Sequence, residues 1–179
     1  MKRISIVLGV ATTSLLLAAF SQANEGHEID IHKVSAEGVG DKIGSVVLED
    51  SEYGLLLTPK LSDLTPGAHG FHVHENPNCE PAEGDSGEMT AAKAAGGHFD
   101  PEETGSHEGP YGEGHLGDLP VLVVNEEGEA TTPVLAPRMS VDDLDGHSLM
   151  IHEGGDNYSD DPKALGGGGS RMVCGTVNL

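Results

Sequence analysis

The chain has 179 residues, with 9 Lys+Arg against 30 Asp+Glu and a formal net charge of −21. Its length suits one domain of ordinary size rather than two. The sign of the charge excludes nucleic acid as a partner, and the apolar runs SVVL, GLLL, PVLVV and SLMI, spaced between turn residues, exclude a disordered acidic chain.

In chain order, the first element is an export signal. Lys2 and Arg3 precede an apolar run from Ile4 to about Phe20, and Ser21-Gln22-Ala23 places small residues at a cleavage position. Residues 1–23 therefore read as a secretory signal peptide, with residues 24–179 as the mature domain. A membrane anchor fits less well, because the run is short and no later segment is apolar enough to span. With no twin-arginine pair and no cysteine near the cleavage position, ordinary Sec export is expected, without a lipid anchor and without stable membrane insertion. Two of the nine basic residues fall in this leader, so the mature domain carries seven against thirty acids, a formal −23.

Strand-like runs follow at 28–35, 44–50, 53–58, 68–74, 119–124, 130–135, 148–152 and 171–177. All are short, rich in Val, Ile and Leu, and bounded by Gly, Pro, Asp or Asn. Asp50-Ser51-Glu52 and Asn125-Glu126-Glu127-Gly128 read as hairpin turns. The pattern predicts an all-β sandwich or barrel. Only 88–95 reads as helical. Two stretches break the rhythm, 75–118 and 153–170, and loops of that length in a compact domain are functional or disordered. Cys79 and Cys174 are the only cysteines, so in an exported protein they most simply form one disulfide. Closing so long a loop stabilises by roughly 4–5 kcal/mol in the chain-entropy model.

The chemistry lies in the histidines. His72 and His74 share one side of a strand and can chelate one metal, although two histidines on a solvated strand face are common without one. The 75–118 loop adds His98, His107, His115 and Asp118. Three imidazoles and a carboxylate suit a four-coordinate zinc site, and the glycines before His98 and His115 allow the backbone to fold closely around a centre. His152, at a strand end, can join His72 and His74 on a second metal or be a satisfied core histidine.

Together, HGFHVHENPNC, AAGGHFDPEETGSHEGP, GHLGDLP, GHSLMIHEGGDNYSD and GGGGSRMVCG resemble the bacterial secreted copper,zinc superoxide dismutases, from about Val34 to the C-terminus. The resemblance implies a Greek-key β-sandwich, or flattened eight-stranded barrel, with long metal-binding loops, in the bacterial periplasm. It implies copper held by His72, His74 and His152, and His98 bridging copper to a zinc held also by His107, His115 and Asp118. Asp156 matches the aspartate that links His72 to His107, Arg171 the arginine beside the copper channel, and Cys79 and Cys174 the disulfide pair. The expected reaction is dismutation of superoxide by copper cycling between two oxidation states, which zinc cannot do. Arg171 is expected to hold the anion.

Other readings remain open at this level. A non-catalytic periplasmic copper or zinc binder on the same scaffold would need neither His98 as a bridge nor Arg171. A copper-only protein would leave His107, His115 and Asp118 unexplained. Monomer and homodimer are both open. His69 and His147 are expected to be structural, and His27 and His32 to lie on the surface. An anionic substrate and a domain at −23 call for a local positive focus. Arg171, Lys163 and Lys93 are the candidates; Ser106 stands where relatives often carry a lysine.

Overall fold

The structure, a computed structural model, describes residues 26–179; the expected signal peptide lies outside them. The described chain is built on eleven strands: β1 His27–Ser35, β2 Gly38–Ser51, β3 Gly54–Leu61, β4 Gly67–His69, β5 Phe71–His74, β6 Ala82–Glu83, β7 Met89–Thr90, β8 Leu122–Val124, β9 Val134–Ala136, β10 Ser148–His152 and β11 Arg171–Thr176. Seven form one curled antiparallel sheet in the order β5-β10-β11-β1-β2-β3-β9. Two short ribbons, β4–β8 and β6–β7, stand apart from it. The all-β expectation holds. No helix of the described residues is long and apolar enough to cross a membrane.

Alternation of side chains builds the core. In β3, Leu55, Leu57, Pro59 and Leu61 point inward and are buried, while the residues between them are not. Each large apolar side chain fully buried in this way contributes about 1.5–3 kcal/mol. β5 and β10 differ, being buried on both faces. Their inner faces give Phe71, Val73, Leu149 and Ile151 to the core. Their outer faces carry His72, His74 and His152, and Met150 packs there against the disulfide.

Three expectations change. The single strand expected at 68–74 is two: β4 pairs with β8 and β5 with β10, and the chain changes sheet at Gly70. The helix expected at 88–95 is absent. Met89–Thr90 instead pairs with Ala82–Glu83, and only Lys93–Ala95 forms a 3-10 turn. A window that short cannot nucleate a helix alone, and Ala92 adopts a left-handed conformation with φ 48°. The hairpin at Ser51 is tight, with Ser51 opposite Gly54, whereas Asn125–Glu129 is a turn that returns the chain to a lone bridge between Ala130 and Leu61. Cys79 and Cys174 are bonded, 95 positions apart in sequence and with Cα atoms 5.8 Å apart.

Candidate metal centre

β5 is an edge strand, and an edge left bare would seek another chain. Here the 96–119 segment covers it. Val73 donates to Gly117 O at 2.8 Å and accepts from Phe99 at 2.8 Å, Glu75 donates to Gly97 O at 3.1 Å, and Leu119 donates to Phe71 O at 3.2 Å. The resulting lone bridges set His74 opposite His98 and His72 opposite Asp118. Backbone pairing alone thus brings the loop ligands over the strand ligands. Further along, Gly114 is a true close approach, since a Cβ there would lie 2.4 Å from Ser106 O, whereas Gly97 has nothing nearer than 3.8 Å.

Two clusters result. The first, strand-borne, joins His72, His74, His98 and His152; the second, loop-borne, joins His98, His107, His115 and Asp118. All seven residues are buried. His98 belongs to both, and its ring offers one nitrogen to each side. Its Nδ1 lies 2.9 Å from Asp118 Oδ1, while its buried Nε2 has no hydrogen-bond partner. His72 Nδ1, His107 Nδ1 and His115 Nδ1 are likewise buried without one. Orphaned buried nitrogens are costly, and one cation in each cluster would satisfy all four. The opposite nitrogens of the strand-borne histidines are committed as donors: His72 Nε2 to Asp156 at 2.7 Å, His74 Nδ1 to Gly96 O at 3.0 Å and His152 Nδ1 to Gly169 O at 3.1 Å. That leaves His74 Nε2 and His152 Nε2 facing each other at 3.4 Å. Four imidazoles suit copper, and three imidazoles with one carboxylate suit zinc. The residues present fit both ions.

Asp156 joins the clusters from outside. Its Oδ2 accepts from His72 Nε2 and its Oδ1 from His107 Nε2, each at 2.7 Å. Such carboxylates fix the ring and the free nitrogen of a ligating histidine. Tyr158 N–H donates to the same Oδ1 at 2.8 Å. Gly166, at φ +66°, makes room: a Cβ there would sit 1.9 Å from Asp156 Oδ1.

Electrostatics divide the two clusters. Burial pushes His72 down to about 3 and His152 down to about 4, and it also lowers His74 and His98. These rings are neutral and offer lone pairs. At His107 burial acts in the same direction, but Asp118 and Asp156 outweigh it and raise the ring to about 9. Asp118 and Asp156 are held well below the usual carboxylate range: burial opposes this, and His107, with His98 at the first and His72 at the second, overcomes it.

Arg171 opens β11 beside His152, across a register shift. Its guanidinium donates to the carbonyls of Ala92 and Gly96. Gly96 O therefore orients both Arg171 and His74. Cys174 pins Cys79, and the pair packs with Ala92 and Ala95, so the disulfide holds the segment that holds Arg171.

The sequence matches the copper/zinc superoxide dismutase family over residues 42–177. The chain belongs to that family. It is 54% identical over 178 residues to superoxide dismutase [Cu-Zn] 2 of Salmonella typhimurium, covering 99% of each chain. Among solved structures it is similar to the Cu/Zn superoxide dismutase from Brucella abortus, with TM-score 0.84 and 46% identity over 86% of this chain and 100% of that one. The monomeric copper, zinc superoxide dismutase from Salmonella enterica, solved in solution, superposes with TM-score 0.77 and 56% identity over 86% of this chain and 99% of that one.

Within this family fold, every expected site residue lies at or beside the centre. The remaining histidines lie outside it. His69 sets its ring nitrogens 2.8 Å from His152 O and 2.7 Å from Thr65 O, and His147 donates to Glu75 O at 2.8 Å. His32 donates to Gly40 O at 3.2 Å, and His27 is exposed. Three contributors have no signal in the sequence. Asp160 Oδ2 accepts from His107 N–H at 2.9 Å. Glu75 accepts from Gly97 N–H at 2.8 Å, steadying the turn that carries Gly96 O. Arg138 reaches the loop from the far side of the sheet.

Proposed function

We propose that this protein is an exported superoxide dismutase, with copper at His72, His74, His98 and His152 and zinc at His98, His107, His115 and Asp118. The balanced reaction takes two superoxide anions and two protons to dioxygen and hydrogen peroxide. The observation that carries the reading is His98, whose two ring nitrogens address two separate clusters. A binder of one metal gains nothing from that arrangement. Copper supplies a one-electron couple, and zinc supplies fixed charge.

The chain's own residues do the rest. Burial keeps the strand-borne rings neutral, so protons do not compete for their lone pairs. Asp156 and the carbonyls of Gly96 and Gly169 hold those rings in register. His98 Nε2 faces the copper side without a hydrogen-bond partner, so it can take up or give a proton there without losing one. Arg171, fixed by two carbonyls and always charged, provides the anion's binding site. Lys93 and Lys163 make no ion pair with the described residues and are free to add to a local positive focus. The leader signature and the Cys79–Cys174 disulfide support a periplasmic location.

The test is a superoxide assay on protein loaded with copper and zinc, beside His98→Ala. Activity well above free copper, lost in the variant, is expected. Wild-type protein no more active than free copper would leave only a metal binder.

A further inference from the structure

Arg138 stands two residues past β9, at the opposite edge of the main sheet from β5. Its backbone is held, since Leu55 N–H donates to Met139 O at 2.9 Å. Its guanidinium meets no carboxylate among the described residues. It donates instead to four carbonyls of one loop: Nε to Pro110 O at 3.3 Å, Nη1 to Gly114 O at 3.0 Å, and Nη2 to Gly109 O at 3.4 Å and His115 O at 2.5 Å. Two of these acceptors follow His107 closely, and the other two are His115 and its predecessor. The planar fork therefore draws together the two limbs that carry His107 and His115. His115 N–H adds a rung to Ser106 O at 2.9 Å.

We infer that Arg138 is a positioning residue for the zinc ligands, tying their loop across the open side of the curled sheet. The loop is docked at one edge by backbone pairing on β5 and at the other by this side chain. His107 and His115 are thus placed by the closure of the sheet as well as by their own turn. The inference rests on the zinc assignment above. Lysine cannot replace the fork, because a point donor cannot face four carbonyls at once.

The experiment measures zinc affinity by competition with a chelator, for wild type, Arg138→Ala and Arg138→Lys. Weakening by about tenfold or more is expected in both variants, as for other partners that orient metal ligands. Copper affinity should move by less than about twofold, because the strand-borne ligands touch none of these groups. In wild type, the Arg138 Nε–H should exchange slowly with zinc bound and fast without it, a readout that needs no variant to fold. Unchanged zinc affinity with an equal drop in Tm for zinc-loaded and zinc-free protein would mean a purely structural role and overturn the inference. So would an Nε–H exchange rate indifferent to zinc. Wild type that binds no zinc sinks the zinc assignment itself, and the inference with it.

Discussion

The two histidine clusters share His98 but are held by different physics. His72, His74 and His152 ride on strands buried on both faces, and their rings are neutral because the core excludes charge. His107, His115 and Asp118 ride on a loop with little regular structure, held by carboxylates, carbonyls and one guanidinium. The first cluster is made rigid by packing, and the second by hydrogen bonds that span the molecule. A redox ion needs ligands that stay fixed as its charge changes, which the strands provide. An ion that supplies only charge can be held by a loop, provided the loop is tied down.

Breaking the tie that serves both clusters should have the largest effect. Asp156→Ala removes the acceptor of His72 and His107 together, and zinc affinity should fall by about 10–100-fold. His107 loses the partner that fixes its ring, whereas His72 is still held by its strand, so copper affinity should fall less. Chelator competition for each metal reads both numbers, and equal losses would erase the contrast.

Arg171→Glu tests the strand-borne side alone. kcat/KM for superoxide should drop by at least about tenfold, since a donor to the anion becomes a repelling charge. Metal content should stay at the wild-type level by elemental analysis. Unchanged activity removes Arg171 from the mechanism.

The smallest effect concerns pH in the metal-free protein. His72 and His152 titrate near 3 and 4 when folded, against 6.5 when unfolded, so between these values the unfolded chain binds more protons. Stability should therefore decline as pH falls from about 6.5 towards about 4. His107 runs the other way: raised to about 9, its contribution is present below 6.5 and lost as pH rises through 9. The depressed Asp118 and Asp156 begin to lose theirs only as pH falls below about 5, so the change between 6.5 and 5 reports the histidines. Calorimetric melting from pH 8 to 4 checks the sign. A Tm flat across that range would mean the strand-borne rings are not buried as described.

Much of this protein is legible in its sequence because the signals are local. Alternating apolar residues mark strands whatever surrounds them, and all eight expected runs contain strand. Two cysteines leave only one possible pairing within the chain. The long segments shared with the family carry the ligand types in order, so the resemblance implies both metal sets, although spacing alone leaves His152 open.

What tertiary structure alone decided is who holds the ligands. Arg138, Glu75 and Asp160 act on residues 20 or more positions away, through backbone atoms that have no residue-specific signature. The split of 68–74 at Gly70 and the loss of the 88–95 helix have the same origin. Both segments follow their partners, β8 and β6, rather than their own propensities. Sequence determines which groups are available. The curl of the sheet, which brings β5 and Arg138, two residues past β9, to one loop, determines which of them meet.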